Sequence, residues 1–374
     1  MRWSWRIGRL AGIDLYVHWT FMLLVVWFLL LPLLEARGRE QVTDVVATFL
    51  FVLAIFACVV LHELGHALTA RRYGIRTRDI TLLPIGGLAR LERMPDDPTQ
   101  ELWVALAGPA VNVVIAGLLF VTLAVAGRIG SSDLDFIHVR MVNFLNNLMV
   151  ANVVLVLFNL IPAFPMDGGR VLRALLARKM DYLKATQLAA SIGQALAIAI
   201  GIAGMFIPNP FLFFIAIFVY FGAGAESSMV ETRRTLQGVP VQYAMMTRFQ
   251  TLSPSDPLAR AAQELTAGAQ HDFPVTDGNR VVGMLVRDDL FKALQAQSDM
   301  TLVADVMRRD CPVVSQNEML EAVFRRMQEQ SCSSLPVVNG ERLVGLITLE
   351  NIGELMILRK ASQHTQQAPT ATSS

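Results

Sequence analysis

Charge is scarce in this chain. Only 17% of its 374 residues are Asp, Glu, Lys or Arg, and 32 basic against 31 acidic residues leave a net charge of +1. That balance gives no electrostatic reason for a polyanionic partner, so nucleic acid is set aside. Cysteine is scarcer still. Cys58, Cys311 and Cys332 are odd in number and follow no spacing pattern, which excludes a disulfide framework and a thiolate zinc site. Cys58 stands one helical turn before His62 and reads as a packing residue. No cleavable leader is expected either. Arg2, Arg6 and Arg9 precede an apolar run, but Val17 to Leu34 is too long for a signal core and no small-residue cleavage site follows. It reads as a retained span.

Apolar sequence is abundant: 53% of residues are hydrophobic and the mean hydropathy is +0.46. The excess crowds into the first three-fifths of the chain. This predicts a membrane domain over residues 1–228, a linker over 229–243, and a soluble remainder. Six apolar segments stand at roughly 15–35, 43–70, 102–127, 142–163, 184–206 and 210–226, each about long enough to cross a ~30 Å hydrocarbon core. Arg71, Arg72, Arg76, Arg78, Arg90 and Arg93 follow the second segment, Arg170, Arg173, Arg178, Lys179 and Lys184 the fourth, and Arg233 and Arg234 the sixth. The opposite loops carry chiefly Arg37, Arg39, Arg128 and Arg140. Both termini are therefore expected on the cytoplasmic side of a multi-pass protein, in the cell membrane if the chain is prokaryotic. Between the second and third segments, two short apolar runs flank Pro84-Ile85-Gly86-Gly87, the pattern of a hairpin dipping into the membrane domain.

The strongest chemical signal is Leu61-His62-Glu63-Leu64-Gly65-His66. Residues four apart on a helix share a face, so both imidazoles can reach one metal ion, with Glu63 placed to take a proton from a water there. Three ionisable side chains closing a long apolar run cost ~2.5–3.5 kcal/mol each on insertion scales, and such residues are functional candidates by default. A catalytic zinc site needs a third protein ligand. The fourth segment ends in Asn159-Leu-Ile-Pro162-Ala-Phe-Pro165-Met-Asp167-Gly168-Gly169-Arg170. Its prolines break the helix and its glycines permit a close turn, presenting Asp167 on apolar, irregular chain. His18, in Tyr16-Val17-His18-Trp19-Thr20, reads as an interfacial hydrogen-bonding residue and stays outside the metal set.

His-Glu-x-x-His followed about a hundred residues later by Asn-x-x-Pro-x-x-x-x-Asp-Gly resembles the site-2 protease family of intramembrane zinc metalloproteases. The resemblance covers about residues 1–228, and Gly86-Gly87 and Gly108-Pro109-Ala110-Val111-Asn112 share it. It implies one zinc ion held by His62, His66 and Asp167, with Glu63 as general base and Asn159 binding the reacting carbonyl or its oxyanion. The expected substrate is a transmembrane segment of another protein, unwound locally, and the Pro84–Gly87 hairpin is expected to lend it a strand edge by β-addition.

From about Ala244 short strands alternate with helices, and a repeat appears at an offset of about 62 residues. Asp272-Phe-Pro-Val-Thr-Asp-Gly-Asn-Arg-Val-Val-Gly-Met-Leu aligns with Ser334-Leu-Pro-Val-Val-Asn-Gly-Glu-Arg-Leu-Val-Gly-Leu-Ile. Met246 and Met307 head the copies, and two such units should bury each other's apolar faces. The copies, 244–298 and 303–361, resemble a tandem pair of cystathionine-β-synthase (CBS) domains. The predicted fold is thus an α-helical multi-pass membrane domain with a short re-entrant β-hairpin, plus a soluble α/β CBS pair. The resemblance implies adenine nucleotide binding that regulates the attached domain, or a module that pairs two copies of the chain as a homodimer. Thr348, Asn351 and Asp289 are the candidate nucleotide contacts. Each copy departs from the family pattern: Thr348 is followed by Asn351 in place of a carboxylate, and Asp289 is preceded by Val286 in place of a hydroxyl. The tail over 362–374 is polar and expected to be disordered. Two other readings stay open here. One is a transporter with regulatory CBS domains, in which His62, Glu63, His66 and Asp167 line an ion path. The other is a non-catalytic membrane scaffold.

Overall fold

The computed structural model describes residues 3–35, 39–84, 86–92, 95, 97–128, 143–207, 209–295 and 301–367. Arg2, Arg37, Ile85, Arg93 and Arg140 lie outside them. Contacts divide the chain into two compact units, Met1–Ser228 and Met229–Ser374.

The first unit opens with strands β1 (Ser4–Leu10) and β2 (Ile13–His18) before helix α1 (Trp19–Glu35). The first apolar segment, expected from residue 15, therefore starts as a helix only at Trp19. The reason is local. Ala11 and Gly12 both hold positive φ, 51° and 87°, closing a two-residue hairpin in which Leu10 pairs with Ile13. Helix α2 (Arg39–Arg72) is followed by strands β3 (Thr77–Leu83) and β4 (Gly86–Leu91). These two pair antiparallel with Leu82 opposite Gly87, and β2 runs parallel to β3 with Val17 opposite Leu82. The sheet order is β1-β2-β3-β4, so among the described strands β4 has one open edge. Arg90 clamps Asp79 across β3 and β4 with two hydrogen bonds, 2.8 and 2.5 Å.

Helix α3 (Pro98–Val125) starts on a capping Asp97, whose carboxylate accepts from the Thr99 N–H at 2.7 Å, with proline at its first position. Helix α4 (Phe144–Asn159) stops where Pro162 would remove a ladder hydrogen bond. After an irregular turn come α5 (Asp167–Ala177), α6 (Tyr182–Phe206) and α7 (Pro210–Leu236). Four described helices are long and apolar enough to cross a membrane: Val45–Arg72 within α2, and α3, α6 and α7. Helix α4, 16 residues, spans only about 24 Å, and α1 has 17 residues.

The second unit starts with the last turns of α7. It continues through α8 (Leu258–Ala267), the hairpin β5 (Phe273–Asp277) and β6 (Arg280–Leu285), α9 (Arg287–Gln295) and α10 (Val303–Val306). Strand β7 (Val314–Ser315), α11 (Leu320–Gln330), the hairpin β8 (Ser334–Asn339) and β9 (Arg342–Thr348), and α12 (Leu349–Gln367) complete it. Both hairpins carry a bulge at the same repeat position, after Val275 and after Val337. Each copy buries its own core: Leu258, Phe273, Val275, Leu285 and Leu290 in one, Leu320, Leu335, Val337, Ile347 and Ile352 in the other.

The heads of the copies are exchanged. Met307 packs into the first core, while Val239 and Val241 pack into the second. Met246 bridges to Leu346, and Arg308 to Met284. Gly283 and Gly345 admit the crossing chains, since a Cβ there would lie 2.7 Å from the Arg308 carbonyl oxygen and 2.5 Å from the Met245 sulfur. Helix α12 runs to Gln367, so the first six residues of the expected disordered tail are helical. Residues 368–374 lie outside the described ones.

Candidate metal centre

His62 and His66 sit one turn apart on α2 and are 6% and 4% exposed; Asp167, the first residue of α5, is 7% exposed. The structure brings these three together. The Nε2 atoms of His62 and His66 are 3.1 Å apart, and each is 3.1 Å from Asp167 Oδ2. Among the described residues this is the one cluster of three such groups with converging ligand atoms.

Glycines make the convergence possible. A Cβ on Gly108 of α3 would stand 2.2 Å from His66 Nε2 and 2.6 Å from His62 Nε2. One on Gly168 would stand 2.2 Å from the Ile161 carbonyl oxygen, and one on Gly169 2.6 Å from Ala163 and Phe164 backbone. The Asp-Gly-Gly sequence thus lets the first turn of α5 lie flat on the chain that leaves α4. Helix α5 is then anchored by Arg173, fully buried. Arg173 Nε donates to Glu101 Oε1 of α3 at 2.8 Å and Nη1 to Glu226 Oε1 of α7 at 2.6 Å, and the guanidinium stacks 4.9 Å over Phe164. In the sequence Arg173 counts only as one of the basic loop residues that orient the fourth segment, and Glu101 and Glu226 carry no signal; charges flanking apolar segments look like ordinary loop residues until three of them meet.

The donor set suits a cation. His66 Nδ1 lies 2.7 Å from the Val104 carbonyl oxygen and His62 Nδ1 lies 2.6 Å from Asn112 Oδ1. Both acceptors take a proton from Nδ1, leaving Nε2 as a lone pair. Two lone pairs and a carboxylate oxygen facing one another repel unless a positive ion stands between them. Three atoms 3.1 Å apart are corners of a tetrahedron whose centre is about 1.9 Å from each, close to the ~2.0–2.2 Å of Zn–N and Zn–O bonds.

Glu63 follows His62 on α2 and is close enough to His66, His62, Asp167 and Arg170 to feel their charges. Strand β4 starts directly over it: a Cβ on Gly87 would lie 2.5 Å from Glu63 Cγ. Asn159 closes α4, half-buried, with its Nδ2 donating to the Leu155 carbonyl at 3.0 Å; one amide hydrogen is left over. His18 ends β2, its Nδ1 2.7 Å from Thr20 Oγ1, and is not part of the cluster.

In the second unit a cavity of about 270 Å³ is lined by residues that include Met246, Gln270, Asp272, Arg287, Ser333 and Thr348. Of the three candidate nucleotide contacts, Thr348 lines it. Asn351 does not, its Oδ1 accepting from Thr348 Oγ1 at 2.9 Å. Nor does Asp289, which accepts from Arg308 Nε at 2.6 Å. Asp272 stitches the copies by accepting from Ser333 and Ser334 hydroxyls at 2.6 and 2.7 Å.

Comparison with known proteins follows the same division. The model of Peptidase family M50 matches residues 50–131 and 124–200, and the CBS domain model matches 241–296 and 303–356. A zinc metalloprotease of Methanocaldococcus jannaschii is 32% identical over 352 residues, 94% of this chain and 96% of that protein. Stage IV sporulation protein FB of Bacillus subtilis is 29% identical over 138 residues, 37% of this chain and 44% of that protein. The solved structure of a site-2 protease from Methanocaldococcus jannaschii, 37% identical, covers 60% of this chain and 95% of its own, with a TM-score of 0.44.

Proposed function

The chain belongs to peptidase family M50, the site-2 zinc metalloproteases, with a C-terminal CBS pair, and from that premise we propose how its residues divide the work. His62, His66 and Asp167 hold one zinc ion, Glu63 moves the proton, and Asn159 binds the reacting carbonyl. The substrate is a transmembrane segment of another membrane protein, cut in or near the bilayer. The observation that carries this reading is the triangle of three donors, 3.1 Å on each side, built from two helices and buried among apolar sequence.

Zinc at that position supplies a polarised carbonyl and a water acidic near neutral pH. The protein's own residues do the rest. Glu63, one residue from a ligand, takes the proton as water attacks and returns it to the departing nitrogen. The spare amide hydrogen of Asn159 donates to the carbonyl oxygen as negative charge grows there. The open edge of β4, whose Gly87 packs on Glu63, offers backbone hydrogen bonds to a substrate stretch that has left its helix. An intact helix keeps its carbonyls bonded, so substrates with Gly or Pro in the span are preferred.

The chain is an integral membrane protein, and the arginine-rich loops support cytoplasmic termini and a cytoplasmic CBS unit. An adenine nucleotide in the cavity beside Thr348 is proposed to modulate cleavage. The deciding experiment is reconstitution with a model membrane substrate. The wild type cleaves it. Glu63→Gln does not, yet keeps one zinc per chain. Cleavage by Glu63→Gln at the wild-type rate would overturn the assignment.

A further inference from the structure

A ligand histidine is useful only in one tautomer, and the atoms around His62 decide which. His62 Nδ1 faces Asn112 Oδ1 at 2.6 Å, Asn112 Nδ2 faces Asn152 Oδ1 at 2.8 Å, and Asn152 Nδ2 faces the Leu148 carbonyl oxygen at 2.8 Å. An amide side chain turned end for end presents a donor where it had an acceptor, so one such bond alone does not say which end points where. This series does, because it ends on a backbone carbonyl, which only accepts. Asn152 must point its NH₂ at Leu148. Its oxygen therefore faces Asn112, which must answer with NH₂. The oxygen of Asn112 then faces His62, whose Nδ1 must carry the proton. Nε2 is left as a lone pair aimed at Asp167.

Asn112 and Asn152 are both fully buried, on α3 and α4. Placing two amides between apolar helices costs free energy unless every group is bonded. Here each is: the Asn152 amide also lies 3.5 Å from Cys58 Sγ on α2. An apolar pair would hold the helices together at least as well. The expense needs a return, and the return is at His62.

Resting on the zinc reading above, we propose that Asn112 and Asn152 are positioning residues: a relay anchored on the Leu148 carbonyl that sets His62 in its Nδ1–H tautomer before metal arrives. Cys58 is its second contact on α2, after His62, which gives that residue a polar neighbour beyond packing. His66 is set independently by the Val104 carbonyl, so the relay governs one of the two histidines. Losing it leaves His62 free to protonate Nε2, which cannot then bind a cation.

The test compares Asn112→Leu, Asn112→Asp and Asn152→Leu with the wild type in detergent. Zinc affinity is read by chelator competition, and the His62 tautomer by ¹⁵N NMR of histidine-labelled, metal-free protein. Asn112→Leu should weaken zinc ~10–100-fold, as removal of such orienting partners does, and shift the His62 proton to Nε2. Asn112→Asp keeps an acceptor against Nδ1 and should keep both zinc and tautomer, while its other contact, oxygen against Asn152 oxygen, lowers thermal stability. Asn152→Leu frees the Asn112 amide to rotate and should give an intermediate loss. Equal zinc affinity in Asn112→Leu and wild type overturns the relay alone, as does equal loss in the Leu and Asp variants. Failure of the wild type to bind zinc at all instead removes the hydrolase reading beneath it.

Discussion

At the residue scale, two glycines decide more than most charged side chains. Gly108 lies within a helix, where alanine is favoured by about 1 kcal/mol, so Gly108→Ala should help α3 itself. Its methyl would nonetheless sit 2.2 Å from His66 Nε2, where a ligand lone pair must point. The expected outcome is a folded protein with less than a tenth of the wild-type zinc, read by elemental analysis of the detergent-purified chain. Gly87 offers a way to separate the proposed metal binding from the proposed proton transfer. A methyl there presses on Glu63 Cγ at 2.5 Å, and its three nearest neighbours all belong to Glu63. Gly87→Ala should therefore cut kcat by a factor of ten or more, roughly 1.4 kcal/mol of transition-state stabilisation, with zinc unchanged. Loss of zinc from this variant would refute the division. Cys311 makes the opposite kind of point. Burial, with the Cys332 thiol beside it, pushes Cys311 up to about 12, and both thiols are free. The thiolate is the reactive form, so at pH 8 Cys311 stays protonated and alkylating reagents should modify it far more slowly than an exposed cysteine, as peptide mass mapping will show.

Elements carry the site by what they press against. Helix α5 begins at Asp167 and is held by Arg173, whose guanidinium is 0% exposed between Glu101 and Glu226. Removing one partner of a buried ionic group leaves the others uncompensated, at a cost of about 3–5 kcal/mol. Arg173→Ala should therefore lower the melting temperature sharply and release zinc, because α5 loses its tie to α3 and Asp167 moves with it. Arg173→Ala combined with Glu101→Gln and Glu226→Gln should recover much of that loss; no recovery would mean the cluster matters only for packing. None of this cluster was legible beforehand, since its members are 72 and 53 positions apart and belong to no local pattern. The three members of the candidate metal cluster were legible as neighbours for the reverse reason. Helical spacing alone puts His62 and His66 on one face, and polar residues closing an apolar run have few other uses. Asp167 was readable because prolines and glycines announce an irregular chain. The N-terminal strands were hidden by two things: Ala11-Gly12 lacks the usual Asn-Gly or Asp-Gly hairpin signal, and β2 runs straight into the apolar α1. Span length misled too, for apolar runs of similar length end in a 16-residue α4 in one case and a 27-residue α7 in another. Hydropathy registers the run, and the proline that cuts it short acts on the backbone.

On the scale of the whole molecule, each unit has its own core and its own candidate ligand site. The repeat was readable as two supersecondary units; the exchange of their heads was not, because Gly283 and Gly345 look like ordinary strand glycines until Arg308 and Met245 are seen pressed against them. A ligand that binds only the folded form stabilises by RT ln(1 + [L]/Kd), about 2.7 kcal/mol at a hundredfold excess over Kd. The two ligands proposed here belong to different units, so they should act on different melting transitions. Calorimetry of the intact chain in detergent is expected to show two endotherms. A chelator should lower one and leave the other in place. ATP or AMP should raise only the second, and Thr348→Val, which removes a cavity-lining hydroxyl, should abolish that rise without touching the chelator-sensitive transition. A single endotherm moved by both ligands would mean that metal and nucleotide stabilise one cooperative structure, and regulation would then have to be sought in a shared folding equilibrium. Two independent endotherms would place the proposed regulatory step after folding, with nucleotide occupancy altering the turnover of a metal centre that is already assembled.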